Sequence, residues 1–96
     1  MNRKFFTSVI LKEEGIRLDY FLLSENAVDI FGRECITYGV EIRQTPANTF
    51  SQNPYFIASV PDITCKIDMA EALLRELSAT ATDPSCLEDI VVEIIS

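Results

Sequence analysis

The chain has 96 residues, 48% of them hydrophobic and 24% charged, and fifteen Asp and Glu against eight Lys and Arg give a formal charge of −7. This size and composition predict a single domain over residues 1–96 with one modest core, and exclude a second core or a disordered chain. The negative balance repels phosphate, so neither a nucleic-acid role nor binding to an anionic membrane is expected.

The charge is uneven: residues 49–96 hold two basic and eight acidic side chains and so supply −6 of the −7. A solvated helix face accounts for them, and a docking surface for a basic partner is the sharper alternative. The three cysteines, Cys35, Cys65 and Cys86, lie 30 and 21 residues apart, which leaves no close pair of the zinc or redox kind. Reduced thiols in a cytoplasm are the simpler expectation. Phe5 to Leu11 is too short and too interrupted by hydroxyls for a secretory signal, and it meets Lys12-Glu13-Glu14 where a small-residue cleavage site belongs. No stretch approaches the roughly 18 apolar residues of a membrane span.

In chain order, residues 4–12 are dense in Phe, Val, Ile and Thr and read as a strand. It ends at a turn in which Gly15 supplies the positive φ, and a second strand over 16–24 follows at hairpin distance. Residues 25–34 predict a wide connection whose Val28, Ile30 and Phe31 tuck against the sheet edge. The cleanest alternation runs over 35–43, with Ile36, Tyr38, Val40 and Ile42 on a buried face and Cys35, Thr37, Gly39, Glu41 and Arg43 opposite. Residues 44–54, with two prolines, two asparagines and no charge, read as a loop. A fourth strand over 55–60 stops at Pro61.

The period then changes. Ile67, Ala70, Leu74 and Leu77 recur at helical spacing opposite Lys66, Asp68, Glu71, Arg75 and Glu76, with Thr64 as the expected N-cap. A second helix starts at Asp83-Pro84, and its stripe is Leu87, Ile90, Val91, Ile94 and Ile95. Four strands followed by two helices predict an α+β domain: a four-stranded antiparallel sheet with two C-terminal helices packed on one face.

The segments Val60-Pro61-Asp62-Ile63-Thr64, Asp83-Pro84 with its Leu-Glu-Asp-Ile-Val-Val-Glu helix, and Tyr38-Gly39-Val40-Glu41-Ile42 resemble a family of small uncharacterised bacterial proteins, mainly in the C-terminal half. The resemblance implies a small bacterial cytosolic domain and assigns no functional residue.

The residues offer little chemistry. There is no histidine, which removes the commonest general base and the commonest transition-metal ligand. Glu13 with Glu14, and Asp89 with Glu93 beside Glu88, are the only carboxylate groupings, and each reads as the polar face of its element. Cys86 lies in the first turn of a helix, where a thiolate is favoured, but a buried structural thiol is the expected role. Gly15, Gly32 and Gly39 are isolated and form no phosphate cradle. No catalytic residue, cofactor or metal site is expected.

The informative anomaly is apolar surplus. Phe5, Val9 and Leu11 alternate with Phe6 and Ile10, and Phe21 and Leu23 alternate with Leu18, Tyr20 and Leu22, so both faces of the first two strands are apolar. Two helices cover one face only. Phe21 and Leu23 share their side with Asp19 and are assigned outward, where with Tyr55 and Ile57 they form a patch of about 300–500 Å². Either residues 25–34 fold back over it as a lid, or it meets a second copy or another protein. The expected function is therefore a non-catalytic interaction or regulatory module. The alternative is a small-ligand domain with a pocket between the sheet and the 44–54 loop, lined by Tyr38, Tyr55 and Phe50.

Overall fold

A computed structural model describes residues 1–47 and 56–95. The elements run β1 (Asn2–Leu11), β2 (Ile16–Val28), β3 (Glu34–Pro46), β4 (Phe56–Thr64), α1 (Ile67–Ala79) and α2 (Pro84–Ile95). The four strands form one antiparallel sheet in the order β1-β2-β3-β4, and both helices follow it, so the α+β architecture is the expected one. Gly15 closes the first hairpin at φ +68°, its amide donating to the Leu11 carbonyl at 2.9 Å.

The second connection differs from the expectation. Residues 25–28 continue β2 and pair with the start of β3, Val28 opposite Glu34 and Asn26 opposite Ile36. The chain reverses over residues 29–33, where one Asp29 carboxylate oxygen accepts the Phe31 and Arg33 amides at 2.9 Å each and the other receives Arg33 Nε at 2.9 Å. Gly32 supplies the positive φ of the reversal, +77°. With its polar groups satisfied locally, the tip projects as a hairpin. Val28, Ile30 and Phe31 are exposed, Ile30 to 93%, and they form neither a tucked connection nor a lid.

The core lies between the sheet and the helices. Leu18, Tyr20 and Leu22 of β2 and Val40 and Ile42 of β3 meet Ala70, Leu74 and Leu77 of α1 and Leu87 and Val91 of α2. The Ile94 and Ile95 side chains, also expected on that stripe, lie outside the described residues. Tyr20 is fully buried and its hydroxyl donates to the Thr82 carbonyl at 2.8 Å, joining the sheet centre to the link between the helices. Ile36 was expected on this buried face, but it sits on the projecting hairpin and is exposed.

Two irregularities set which side chains face the helices. In β1 the register shifts between Phe5, opposite Phe21, and Thr7, opposite Tyr20. One extra residue inverts the alternation, so Phe6, Val9 and Leu11 pack towards the helices while Phe5 goes to the other side. The sequence had grouped Phe5 with Val9 and Leu11. In β4 the strand does not stop at Pro61. It runs on to Thr64, with three residues opposite the single Gly39 between the pairs Val40–Val60 and Tyr38–Thr64. Proline is tolerated there because β4 is an edge strand with a bulge. Thr64, still paired in the sheet, cannot cap α1; the N-cap is Lys66, whose amide donates to Thr64 Oγ1 at 3.1 Å. Asp83 caps α2 as expected, accepting the Ser85 amide at 3.1 Å and the Ser85 hydroxyl at 2.6 Å.

Candidate functional site: the helix-free sheet face

The side of the sheet opposite the helices carries Phe5 and Ser8 from β1, Arg17, Asp19, Phe21, Leu23 and Glu25 from β2, Gly39, Glu41 and Arg43 from β3, and Ile57 and Ser59 from β4, as register and alternation require. Phe21 and Leu23 are thus on the side assigned to them from sequence. Their exposures differ. Leu23 is only 1% exposed, opposite Gly39, where the β4 bulge crosses closely enough that the Val60 carbonyl and Pro61 abut the glycine. Leu23 is therefore the floor of the face and not its accessible surface. Phe21 is half-buried, and Phe5 (56% exposed), Ile10 (56%, opposite Arg17) and Ile57 (51%) carry the open apolar area. Tyr55 lies outside the described residues.

At the centre is a charged cluster that the sequence did not reveal. Glu41 is only 3% exposed although α1 and α2 both pack on the other side of the sheet. Its carboxylate pairs with the Arg3 guanidinium, whose Nε lies 2.6 Å away and whose Nη2 donates at 3.4 Å, and accepts Arg43 Nε at 2.9 Å and the Ser59 hydroxyl at 2.7 Å. Both guanidiniums also lie over the Phe21 ring, Arg43 at 5.4 Å and Arg3 at 6.0 Å from its centroid, while the Phe5 ring meets Phe21 edge-on at 5.8 Å. A flat cation over an aromatic face is attractive, and the carboxylate fixes each cation in that position. Beside this cluster Asp19 accepts the Ser8 hydroxyl at 2.5 Å and pairs with Arg17 at 3.3 Å.

Burial is the largest single influence on the Glu41 carboxyl and pushes its pKa up. The hydrogen bonds from Ser59, Arg43 and Arg3 together outweigh it and hold the group below the ordinary carboxylate value of 4.5. Glu41 is thus ionised and neutralised in place. Alternation alone marks Glu41 as a solvent-facing charge, and the one available clue was Arg43 on the same side two residues on. Arg3, 38 residues away, is brought in only by the pairing of β1 with β2 and β2 with β3.

The remaining candidates are dispersed. Cys86 is exposed in the first turn of α2 and is not the buried thiol expected; its Sγ lies 3.8 Å from Ser85 Oγ. Cys35 is half-buried at the start of β3 and Cys65 is exposed just after β4; burial first, and then the nearby Cys65, push the Cys35 thiol up. Glu88 and Asp89 are exposed on α2, and Glu13 and Glu14 are exposed in the first turn. Among the described residues no group of three or more Cys, Asp or Glu is arranged to hold a metal ion, and no helix is long and apolar enough to cross a membrane.

A cavity of about 450 Å³ opens beside Gln44, Phe56, Ile57 and Ala58 on the sheet and Asp83, Pro84 and Ser85 at the start of α2. Tyr38, expected to line a pocket near there, instead borders a separate cavity of about 230 Å³ with Lys4, Phe6 and Glu71. Six residues of extended chain, roughly 20 Å, separate Tyr38 from Gln44. Phe50 lies outside the described residues.

Comparison with curated proteins and with solved structures gave no match. A family model does match, and it spans residues 1–96, well beyond the C-terminal segments that carried the resemblance. The chain belongs to a family of unknown function, DUF6514.

Proposed function

We propose that this domain is a non-catalytic interaction module that pairs with a second copy of itself through the helix-free sheet face, in a bacterial cytoplasm. The observation that carries the reading is that face: Phe5, Ile10 and Ile57 stand open around a buried floor of Leu23 and Glu41. Charge favours a second copy as the occupant. On this side Arg3, Arg17 and Arg43 balance Asp19, Glu25 and Glu41, whereas the exposed acids of α1 and α2 would repel their own kind. Four strands about 4.8 Å apart and about nine residues long present roughly 20 by 30 Å, or about 600 Å² per copy. Two such faces bury about 1,200 Å², the lower bound for a specific interface. The setting rests on the resemblance to small bacterial proteins and on three free thiols.

Light scattering on the purified protein tests the reading. A two-chain mass is expected, falling to one chain in Phe21→Asp and in Ile57→Glu, the latter at a position exposed enough for the fold to accept a charge. A parent mass of one chain at concentrations of about 100 μM overturns self-association. The cavity beside Gln44 and Ser85 favours a second reading, since its volume of about 450 Å³ falls in the range of small-molecule sites. A thermal-shift screen of metabolite-sized ligands, with Ala58→Phe filling the cavity, distinguishes that reading from the first.

A further inference from the structure

We propose that the cavity at the start of α1 is a binding site for a small free amino acid with an apolar side chain, held as its zwitterion between Lys4 and Glu71. The cavity measures about 230 Å³ and lies on the helix side of the sheet. Strand register builds its floor. Lys4 stands opposite Leu22 across β1 and β2, and Ser24 stands opposite Tyr38 across β2 and β3, which by alternation puts all four on the face that α1 packs against. Ile67 and Glu71, one turn apart in α1, complete the lining from above.

Phe6, Leu22 and Tyr38 belong to the core or pack against it, so the inner wall is apolar. The charged groups on the rim are not used by the fold. Glu71 is half-buried and Lys4 is exposed, and among the described residues neither has an ion-pair or hydrogen-bond partner, although both border the same cavity. Such a site fits a molecule with both charges at one end and a hydrocarbon at the other. The α-carboxylate meets the Lys4 ammonium, the α-ammonium meets the Glu71 carboxylate, and the side chain lies against Phe6, Leu22 and Ile67. Both pairs are charge-assisted, and the apolar wall beside them strengthens each. A phosphate or dicarboxylate meets one lysine and is repelled by Glu71, and a simple amine leaves Lys4 unanswered. The volume is below the roughly 300–1,000 Å³ of sites for drug-sized ligands. At the share of about 30 Å³ that a water takes in the liquid, it holds about eight non-hydrogen atoms, the size of valine or leucine.

The test titrates leucine into the full chain by calorimetry and follows amide chemical shifts to locate the site. One leucine per chain is expected, with a dissociation constant below about 1 mM, and the largest shifts at Lys4, Ser24, Tyr38 and Glu71. The analogues 4-methylpentanoate, which lacks the amine, and 3-methylbutylamine, which lacks the carboxylate, bind at least about tenfold more weakly. Glu71→Gln removes the preference for leucine over 4-methylpentanoate, and Lys4→Gln removes the preference over 3-methylbutylamine. Neither side chain is buried, so both variants keep the parent melting midpoint. Ala58→Phe, which fills the cavity beside Gln44, leaves leucine binding unchanged. The site lies across the sheet from the face proposed to pair, so the light-scattering mass and leucine binding succeed or fail separately. Three results overturn the proposal: neither heat nor shift change from leucine or valine up to about 10 mM, 4-methylpentanoate binding as tightly as leucine, or shifts confined to the cavity beside Gln44.

Discussion

Replacing Gly39 by alanine tests the sharpest packing constraint in the fold. A Cβ built there lies 2.6 Å from the Pro61 Cα and 3.0 Å from the Pro61 carbonyl carbon, and closer still to the Val60 carbonyl oxygen. Carbon atoms in contact prefer about 3.5–4.0 Å, so β4 has to retreat by about 1 Å. The obstructing atoms are backbone, with no rotamer to turn aside. Overpacking typically costs about 1–3 kcal/mol, and the rigid obstacle puts Gly39→Ala at the upper end. For a domain of this size, 2–3 kcal/mol lowers the melting midpoint by about 10–20 °C. Gly15→Ala is the matched control. No atom lies within 4 Å of its Cβ position, and only the backbone at φ +68° resists, for roughly 1 kcal/mol and a fall of about 4–8 °C. Urea and thermal unfolding of both variants measure the difference. A Gly39→Ala midpoint equal to the parent, or less perturbed than Gly15→Ala, refutes the close crossing of β4 over β3.

Four further outcomes follow from buried polar groups. Burial, aided by the Asp83 charge, pushes the Tyr20 hydroxyl up from 10.0 to about 12. Its stabilisation is therefore complete below pH 10 and declines as pH rises towards 12, because the unfolded chain alone releases the proton; the slope is about 1.4 kcal/mol per pH unit, and urea midpoints across that window measure it. Tyr20→Phe removes that slope and costs about 1 kcal/mol at neutral pH through the lost bond to Thr82. The Glu41 carboxyl titrates below its ordinary 4.5, so its contribution is present above that pH and is lost as pH falls through the depressed folded value. Glu41→Gln flattens this acid limb in denaturant midpoints taken from pH 6 to pH 2, whereas the double variant Arg3→Ala/Arg43→Ala leaves Glu41 with Ser59 alone and costs about 3–5 kcal/mol at neutral pH.

Regular elements were legible wherever periodicity was strong. The stripe Ala70, Leu74, Leu77 and the alternation through Val40 and Ile42 placed α1 and β3 because each pattern makes sense with only one backbone period. The Asp83-Pro84 start of α2 was readable because capping is local chemistry. Residues 25–34 misled, since Asn26, Asp29 and Gly32 read equally as an irregular loop and as a long hairpin with a tight tip. Phe5 was grouped with Val9 because a bulge leaves no trace in an alternation it inverts. Pro61 read as a strand end because its place on an edge strand is a fact about the sheet and not about the residue.

The same division applies to the candidate site. The surplus of apolar side chains over what two helices cover is a count, and composition with periodicity supplied it together with the side on which Phe21 lies. That Leu23 is a covered floor and that Glu41 binds Arg3 beside Arg43 above Phe21 are long-range facts. The amino-acid order by itself determined the period of each segment and the sidedness of each strand, because both depend on neighbours a few residues apart. Only the tertiary structure decided which charges meet, because strand register brings together residues as far apart as Arg3 and Glu41, 38 positions, and a single bulge is enough to change the partners.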